Sequence, residues 1–487
     1  MMRRHNTIFY SVLLALMLFF VIYTATRFPY TYMTMEGDDF WMPTRNFWLL
    51  KLGMLPAFTN WFADFLMQFY RSPFVAATIQ ALILGMICVL AHAVLMKVLK
   101  NRWQLCWLTL LPPILLGYYC TFNLSAQLQS LFFFGILLTF VLIPSFKGRL
   151  IWSIISVPLG FLLMKTPLLF LLLIIYAVLF SPPRRSWRGA ILIPFVLLAI
   201  TPLAYSQQVA FIPFEMRYTD WGIQLEPLTN KYNRDGEYIK KMVCLSNEER
   251  WEDLLYKEHI RSNAQRGQDI SLHYALLAES ALGTLPENFM DYPIRSESQF
   301  LYPHQTEYVA SQFNRLFYLN LGVYDEAFHH AEEYGLLQRN GYCFSSLRQM
   351  VDYSIEEGDF EIADKYLQIL SKSSCHKDFV KERRAKLEET KKNFSKDIQL
   401  RADNFVGGFP LPIEMLRLAR YYQDAAQRKK MLDYTICSYM LRGDANSFMI
   451  ATKAFNIYKD KPLPKAYMTF QETINSSSQQ PQSSPTR

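Results

Sequence analysis

Long apolar runs separated by short polar joints fill the first two hundred or so residues, and after Tyr205 the pattern changes to mixed, polar-rich sequence. Against the roughly 20 residues needed to cross a bilayer, the runs predict spans near 8–26, 73–96, 104–120, 127–144, 150–164, 167–181 and 189–206. Seven crossings is the resulting expectation. The fifth and sixth are separated only by Lys165, Thr166 and Pro167, so 150–181 reads either as two spans or as one broken element.

Beyond about Gln208 strand-like alternation is nearly absent, and after an irregular helical lead-in over 208–267 the polar sequence settles into amphipathic helical stretches joined by short turns. The turns share their chemistry: Gly283-Thr284-Leu285, Gly322-Val323-Tyr324, Gly358-Asp359-Phe360 and Gly443-Asp444-Ala445. In the best-matched pair, around Gly322 and Gly358, glycine, aromatic and alanine (Ala327, Ala363) repeat at the same offsets. Glycine permits the tight turn, the aromatic plugs the hairpin base, and alanine lets two helices approach. Residues 268–375 resemble the tetratricopeptide family, with looser hairpins continuing from Leu411 to Tyr458. The resemblance implies a helical solenoid over 268–474 whose concave face holds a protein or peptide. The tail 475–487 lacks apolar anchors and reads as disordered.

Charge then sets orientation. Residues 1–207 carry 15 Lys and Arg against 4 Asp and Glu, and the remainder carries 35 against 38, so the overall +8 resides beside the apolar spans. That placement removes a nucleic-acid footprint from consideration. Arg3 and Arg4, then Lys97, Lys100 and Arg102, then Lys147 and Arg149, then Arg184, Arg185 and Arg188 all fall on one side of the predicted spans. The positive-inside rule puts that side, and the N-terminus, in the cytoplasm. An odd number of spans exports the C-terminal domain, to the periplasm if the chain sits in a bacterial inner membrane. The first span reads as a retained signal-anchor, since no small-x-small site follows it.

The most distinctive part of the membrane domain is the outward stretch 27–72, rich in Phe, Tyr and Trp. From Phe47 to Tyr70 its apolar positions predict two short amphipathic helices, broken by Gly53 and Pro56, lying on the outer leaflet. Three of the four acids of this half, Glu36, Asp38 and Asp39, stand together at its start. An acidic pair in a first outward loop resembles membrane glycosyltransferases that use polyprenyl-linked donors, which would make Asp38 and Asp39 the catalytic candidates. On that reading Arg45, Lys51 and Arg71 meet a pyrophosphate, and otherwise they meet lipid headgroups. Gly-Asp-Asp is equally an ordinary turn composition.

Little else points to chemistry. Lys165 and His92 are the ionisable residues expected at some depth, each within reach of headgroups. His259, His329 and His330 stand among acids and read as a solvated helix face, and Lys377–Lys396 mixes signs as a long exposed helix does. Cys244, Cys343, Cys375 and Cys437 would lie in an oxidising compartment, but their spacing names no pair and no metal site. No cofactor is implied. Through Trp61-Phe62-Ala63-Asp64-Phe65-Leu66-Met67-Gln68-Phe69-Tyr70 and the helical repeats, the whole chain resembles uncharacterised polytopic envelope proteins of Bacteroidales, a likeness that implies organisation and no activity. The expectation is an all-α protein, a transmembrane helical bundle followed by a tetratricopeptide-like solenoid, whose partners are the lipid bilayer and a protein or peptide.

Overall fold

The computed structural model describes residues 2–99, 103–180, 189–208, 227–257, 259–266, 269–296, 300, 308–373, 375–393, 415–416, 419, 425–454 and 462–479. Among them every regular element is a helix. The chain divides into two units, Met1–Glu237 with Lys372–Cys375, and Tyr238–Ser371 with His376–Arg487.

In the first unit the apolar runs become α1 (Met2–Arg27), α5 (Pro73–Val98), a 3-10 stretch (Trp103–Leu110) leading into α6 (Leu111–Tyr119), α7 (Leu124–Leu142), α8 (Phe146–Leu163), α9 (Thr166–Leu179) and α10 (Leu192–Gln208). Five helices are long and apolar enough to cross a membrane, and Leu105–Tyr119 and Thr166–Leu179 are shorter apolar helices. Between α1 and α5 lie α2 (Pro29–Gly37), α3 (Arg45–Leu52) and α4 (Ala57–Met67). α5 is central, packing on α1, α2, α6 and α7, while α8, α9 and α10 pack on one another and α8 and α9 also on α7, through Phe140, Val157, Leu172 and Tyr176.

Local chemistry explains the breaks. Pro29 stands in the first turn of α2, where its missing N–H leaves no bond unmade. Met164 and Lys165 are extended between α8 and α9, and Pro167 opens α9. The apolar stretch 150–181 is therefore two helices, and the backbone N–H of Lys165, left over by the break, donates to Gln129 Oε1 at 3.0 Å.

α11 (Lys231–Asn247) carries the division between the units. The second unit continues with α12 (Ile260–Gln265), α13 (Asp269–Leu282), α14 (Leu285–Asn288), α15 (Tyr308–Leu321), α16 (Tyr324–Leu337), α17 (Phe344–Glu357), α18 (Phe360–Leu370), α19 (Lys377–Asn393), α20 (Ala425–Arg442), α21 (Ala445–Ala454) and α22 (Lys465–Gln479). α22 thus brings helix into the first residues of the segment expected to be disordered, and 480–487 lie outside the described residues.

The four glycine turns are built alike. Gly283, Gly322, Gly358 and Gly443 all have positive φ, between 67° and 83°. The residue after each returns its N–H to the carbonyl five positions back: Thr284 to Glu279, Val323 to Tyr318, Asp359 to Ser354, Asp444 to Tyr439, at 2.8–3.0 Å. Each glycine N–H closes the inner bond three positions back. This is the Schellman motif, which satisfies the end of one helix and aims the next. The following helix starts two residues after the glycine in every case, and Ala327 and Ala363 are fully buried at the helix contact.

α15 to α19 pack each on the next. α20 does not extend that row beyond α19. It packs against α13, α14 and α15, with the Tyr434 ring 5.1 Å from those of Phe300 and Phe317 and Gln427 donating to the carbonyl of Asn320.

Candidate functional site

Thr44 caps α3 by accepting from the N–H of Phe47, and α3 then folds against α4. Their contact is an ion pair between Lys51 and Asp64 whose side chains are 0 % and 1 % exposed. The Lys51 ammonium also stands 5.1 Å from the centre of the Phe47 ring. Removing two charges from water costs several kcal/mol per ion unless they meet each other with good geometry. Lys51 is therefore not a headgroup or pyrophosphate contact: Asp64 holds it inside the fold. Arg45 and Arg71 remain exposed.

A chain of hydrogen bonds continues from this hairpin into the bundle. Asn60 Nδ2 donates to the carbonyl of Met54 (2.7 Å), Ser125 Oγ donates to Asn60 Oδ1 (2.8 Å), and Gln129 Nε2 donates to Ser125 Oγ (3.3 Å). Gln129 ends at the Lys165 N–H. Thr59 Oγ1 donates to the carbonyl of Leu163 (2.6 Å) and Tyr205 OH to that of Leu52 (2.7 Å). The bonds from Ser125, Thr59 and Tyr205 tie the α3–α4 hairpin to α7, to the end of α8 and to α10.

The amphipathicity of α4 is therefore reversed. Ala57, Thr59, Asn60, Ala63 and Asp64 are buried, while Phe58, Trp61, Phe62 and Phe65 on the other faces are half-exposed. A helix with amides and a carboxylate inside and rings outside is stable where the surroundings are less polar than the interior. The two short helices expected on either side of Gly53 and Pro56 are present, and α4 turns its polar side into the fold.

Asp38 and Asp39 terminate α2. The N–H of Asp38 donates to the carbonyl of Thr34 at 2.7 Å, and Asp39 is buried beside buried Phe40 and Trp41. Carboxylates are disfavoured at a helix C-terminus, where the backbone dipole is negative. The opposite end has the favoured arrangement: the Glu237 carboxylate accepts from the N–H groups of Tyr30 and Thr31, both at 2.8 Å, and from the Thr31 hydroxyl. Lys165 lies at the α8–α9 break as expected, and His92 is buried in α5, stacked on Phe9 at 4.6 Å.

The second unit holds its polar groups differently. His330 is fully buried, stacked on Tyr318 at 5.3 Å, with Nδ1 3.1 Å from Glu333, so only His329 of the pair belongs to an exposed face. Glu279, also buried, accepts from Thr284 Oγ1, Asn288 Nδ2 (2.8 Å) and Tyr292 OH (2.7 Å), which ties the first glycine turn together. Burial first, and then the Glu279 charge, push the Tyr292 phenol well above its ordinary value. Arg315 is buried with Asn247, Gln312 and Tyr353 as its hydrogen-bond partners. The sign-mixed helix at 377–393 is mostly exposed, and its Arg383 and Lys386 pair with Asp352 and Glu356 of α17.

None of Asp64, Glu237, Glu279 and Arg315 stood out in the sequence. Asp64 alone carried a signal, as the one acid inside the aromatic run 58–70. Among the described residues no three His, Cys, Asp or Glu side chains gather in a metal-binding arrangement, and no disulfide joins the described cysteines.

A family model described as "Family of unknown function (DUF6057)" matches residues 4–484, nearly the whole chain, and the chain belongs to that family. Neither the curated proteins nor the solved structures contain a match.

Proposed function

We propose that this member of the DUF6057 family is a multi-pass protein of the bacterial inner membrane that presents a protein-holding helical unit on the periplasmic face. The observation that carries the reading is the fourfold recurrence of one hairpin turn at Gly283, Gly322, Gly358 and Gly443. Repeated hairpins of this kind are the construction unit of tetratricopeptide-like arrays, whose general use is to hold a peptide or a partner protein. On this reading the five long apolar helices and the two shorter ones make seven crossings. The cation distribution keeps the N-terminus cytoplasmic. Leu336, Leu337 and Ile362 are exposed apolar side chains on the hairpins, suited to a partner contact.

A photo-crosslinking amino acid at Leu337 or Ile362 in the full-length protein tests this in living cells. A discrete crosslinked protein, unchanged by Asp38→Asn/Asp39→Asn, is the expected result. No crosslink from either position, together with accumulation of a lipid-linked glycan in the Asp variant, would replace this reading with its alternative. That alternative is a glycosyltransferase-like enzyme using a polyprenyl-linked donor. What favours it is the placement of two carboxylates, one of them buried, at the unfavourable end of α2.

A further inference from the structure

Within the first unit, α1, α5 and α6 leave a cavity of about 430 Å³ between them. Its wall along α1 runs from Leu13 to Tyr23. Ten rises of about 1.5 Å make this about 15 Å, half the roughly 30 Å hydrocarbon thickness of a bilayer and so the depth of one leaflet. The lining is almost wholly apolar. Its hydroxyl-bearing residues, Tyr23, Tyr118 and Thr229, belong to one end, where Tyr118 OH and Thr229 Oγ1 are 2.8 Å apart and the N–H of Leu228 donates to the carbonyl of Tyr118.

Glycine keeps the floor low. A Cβ on Gly85 would come within 2.7 Å of Met17 Sδ, and one on Gly117 within 3.4 Å of Leu84 and Phe20, so larger residues there would drive Met17 and Phe20 into the space. The dimensions also select the occupant. A single hydrocarbon chain is narrow enough, and one polar end on an otherwise apolar slot is the pattern of an amphiphile.

We propose that this groove is a lipid-binding site that takes one hydrocarbon chain of a membrane amphiphile, with the polar head at the Tyr118–Thr229 clasp. The site is separate from the hairpin unit, and its occupation does not depend on what that unit holds. A glycerophospholipid and a polyprenyl phosphate share the required chemistry, and the mass of the bound molecule distinguishes them.

The test is native mass spectrometry of the full-length protein, purified and exchanged through a mild detergent. Leu16→Trp and Ile114→Trp fill the groove from opposite walls, where both residues are partly exposed and need no core rearrangement. Leu14→Trp adds the same bulk outside the groove. Wild type and Leu14→Trp are expected to keep one lipid per chain, and the two filling variants to lose at least nine-tenths of it. Tyr118→Phe, which keeps the ring and removes the clasp hydroxyl, is expected to retain less than wild type. Equal retention by both filling variants would overturn the proposal. So would a wild-type protein carrying only a graded series of adducts with no preferred single one.

Discussion

Lys51 of α3 and Asp64 of α4 neutralise each other where neither side chain meets solvent. Removing one partner strands a buried charge, which costs about 3–5 kcal/mol, whereas removing both and refilling the volume with apolar groups is often neutral. Lys51→Met alone and Asp64→Leu alone should therefore each lower the thermal midpoint of the detergent-solubilised protein sharply. The double variant should recover most of the loss. A double variant as unstable as the sum of the two singles would show that the pair does not act as a unit.

The glycine turns give a ranked expectation. Alanine at a positive φ costs about 1–2 kcal/mol wherever it is placed. At Gly283 an added Cβ meets nothing within 4 Å, but at Gly322 it would meet the Gln427 side chain at 2.8 Å, the same side chain that bonds the carbonyl of Asn320. Gly322→Ala should destabilise the protein more than Gly283→Ala. Denaturant titration of each full-length variant checks the order, and the reverse order would contradict the packing of α20 on α15.

Asp444 caps α21 by accepting from the N–H of Ser447 at 3.0 Å, and the Ser447 hydroxyl and N–H hold its carboxyl below the ordinary carboxylate range. A carboxyl depressed by folding stabilises the folded state fully above its unfolded value of about 3.9, and that contribution disappears as pH falls through the lower folded value. Asp444→Ala should cost about 1 kcal/mol at neutral pH, the ordinary worth of an N-cap. The difference from wild type should be flat from pH 7 to pH 5 and shrink in stronger acid. A gap that widens on acidification would give the wrong sign.

Topology is open to a direct measurement. Cys375 is the exposed thiol among cysteines otherwise buried or half-buried. If the charge distribution orients the chain as proposed, a membrane-impermeant maleimide should label Cys375 in cells with a permeabilised outer membrane, and Cys375→Ser should lose most of that labelling. Labelling that appears only after the inner membrane is lysed would place Cys375 in the cytoplasm and contradict the proposed orientation.

The elements visible in the sequence are those set by local chemistry. The apolar runs, the break at Lys165-Thr166-Pro167 and the glycine turns each follow from residues close together in the chain, and the structure has a helix or a turn at each. What was not legible depends on partners far apart or on the medium. The Glu237 carboxylate that opens α2 lies 206 residues from Thr31. The apolar positions of α4 give its helix and its amphipathic character, but not the partners that Asn60 and Asp64 find inside, Ser125 and Lys51. His329 and His330 are neighbours on one helix, and only the second faces the interior, where the ring of Tyr318 meets it. Asp38 and Asp39 were visible because they are adjacent, and their helix end became apparent only with α2 in place.

The return of α20 onto α13, α14 and α15 has a consequence for how the second unit is completed. In an open array every hairpin rests on the one made before it, so a terminal hairpin can be lost without harm to the rest. Here Tyr434 fills space between Phe300 and Phe317, rings that belong to far earlier sequence. During synthesis those rings must wait for more than a hundred further residues before their cover arrives. α20 is the cover of those rings, and a chain truncated before Ala425 leaves the earlier part of the unit unsealed.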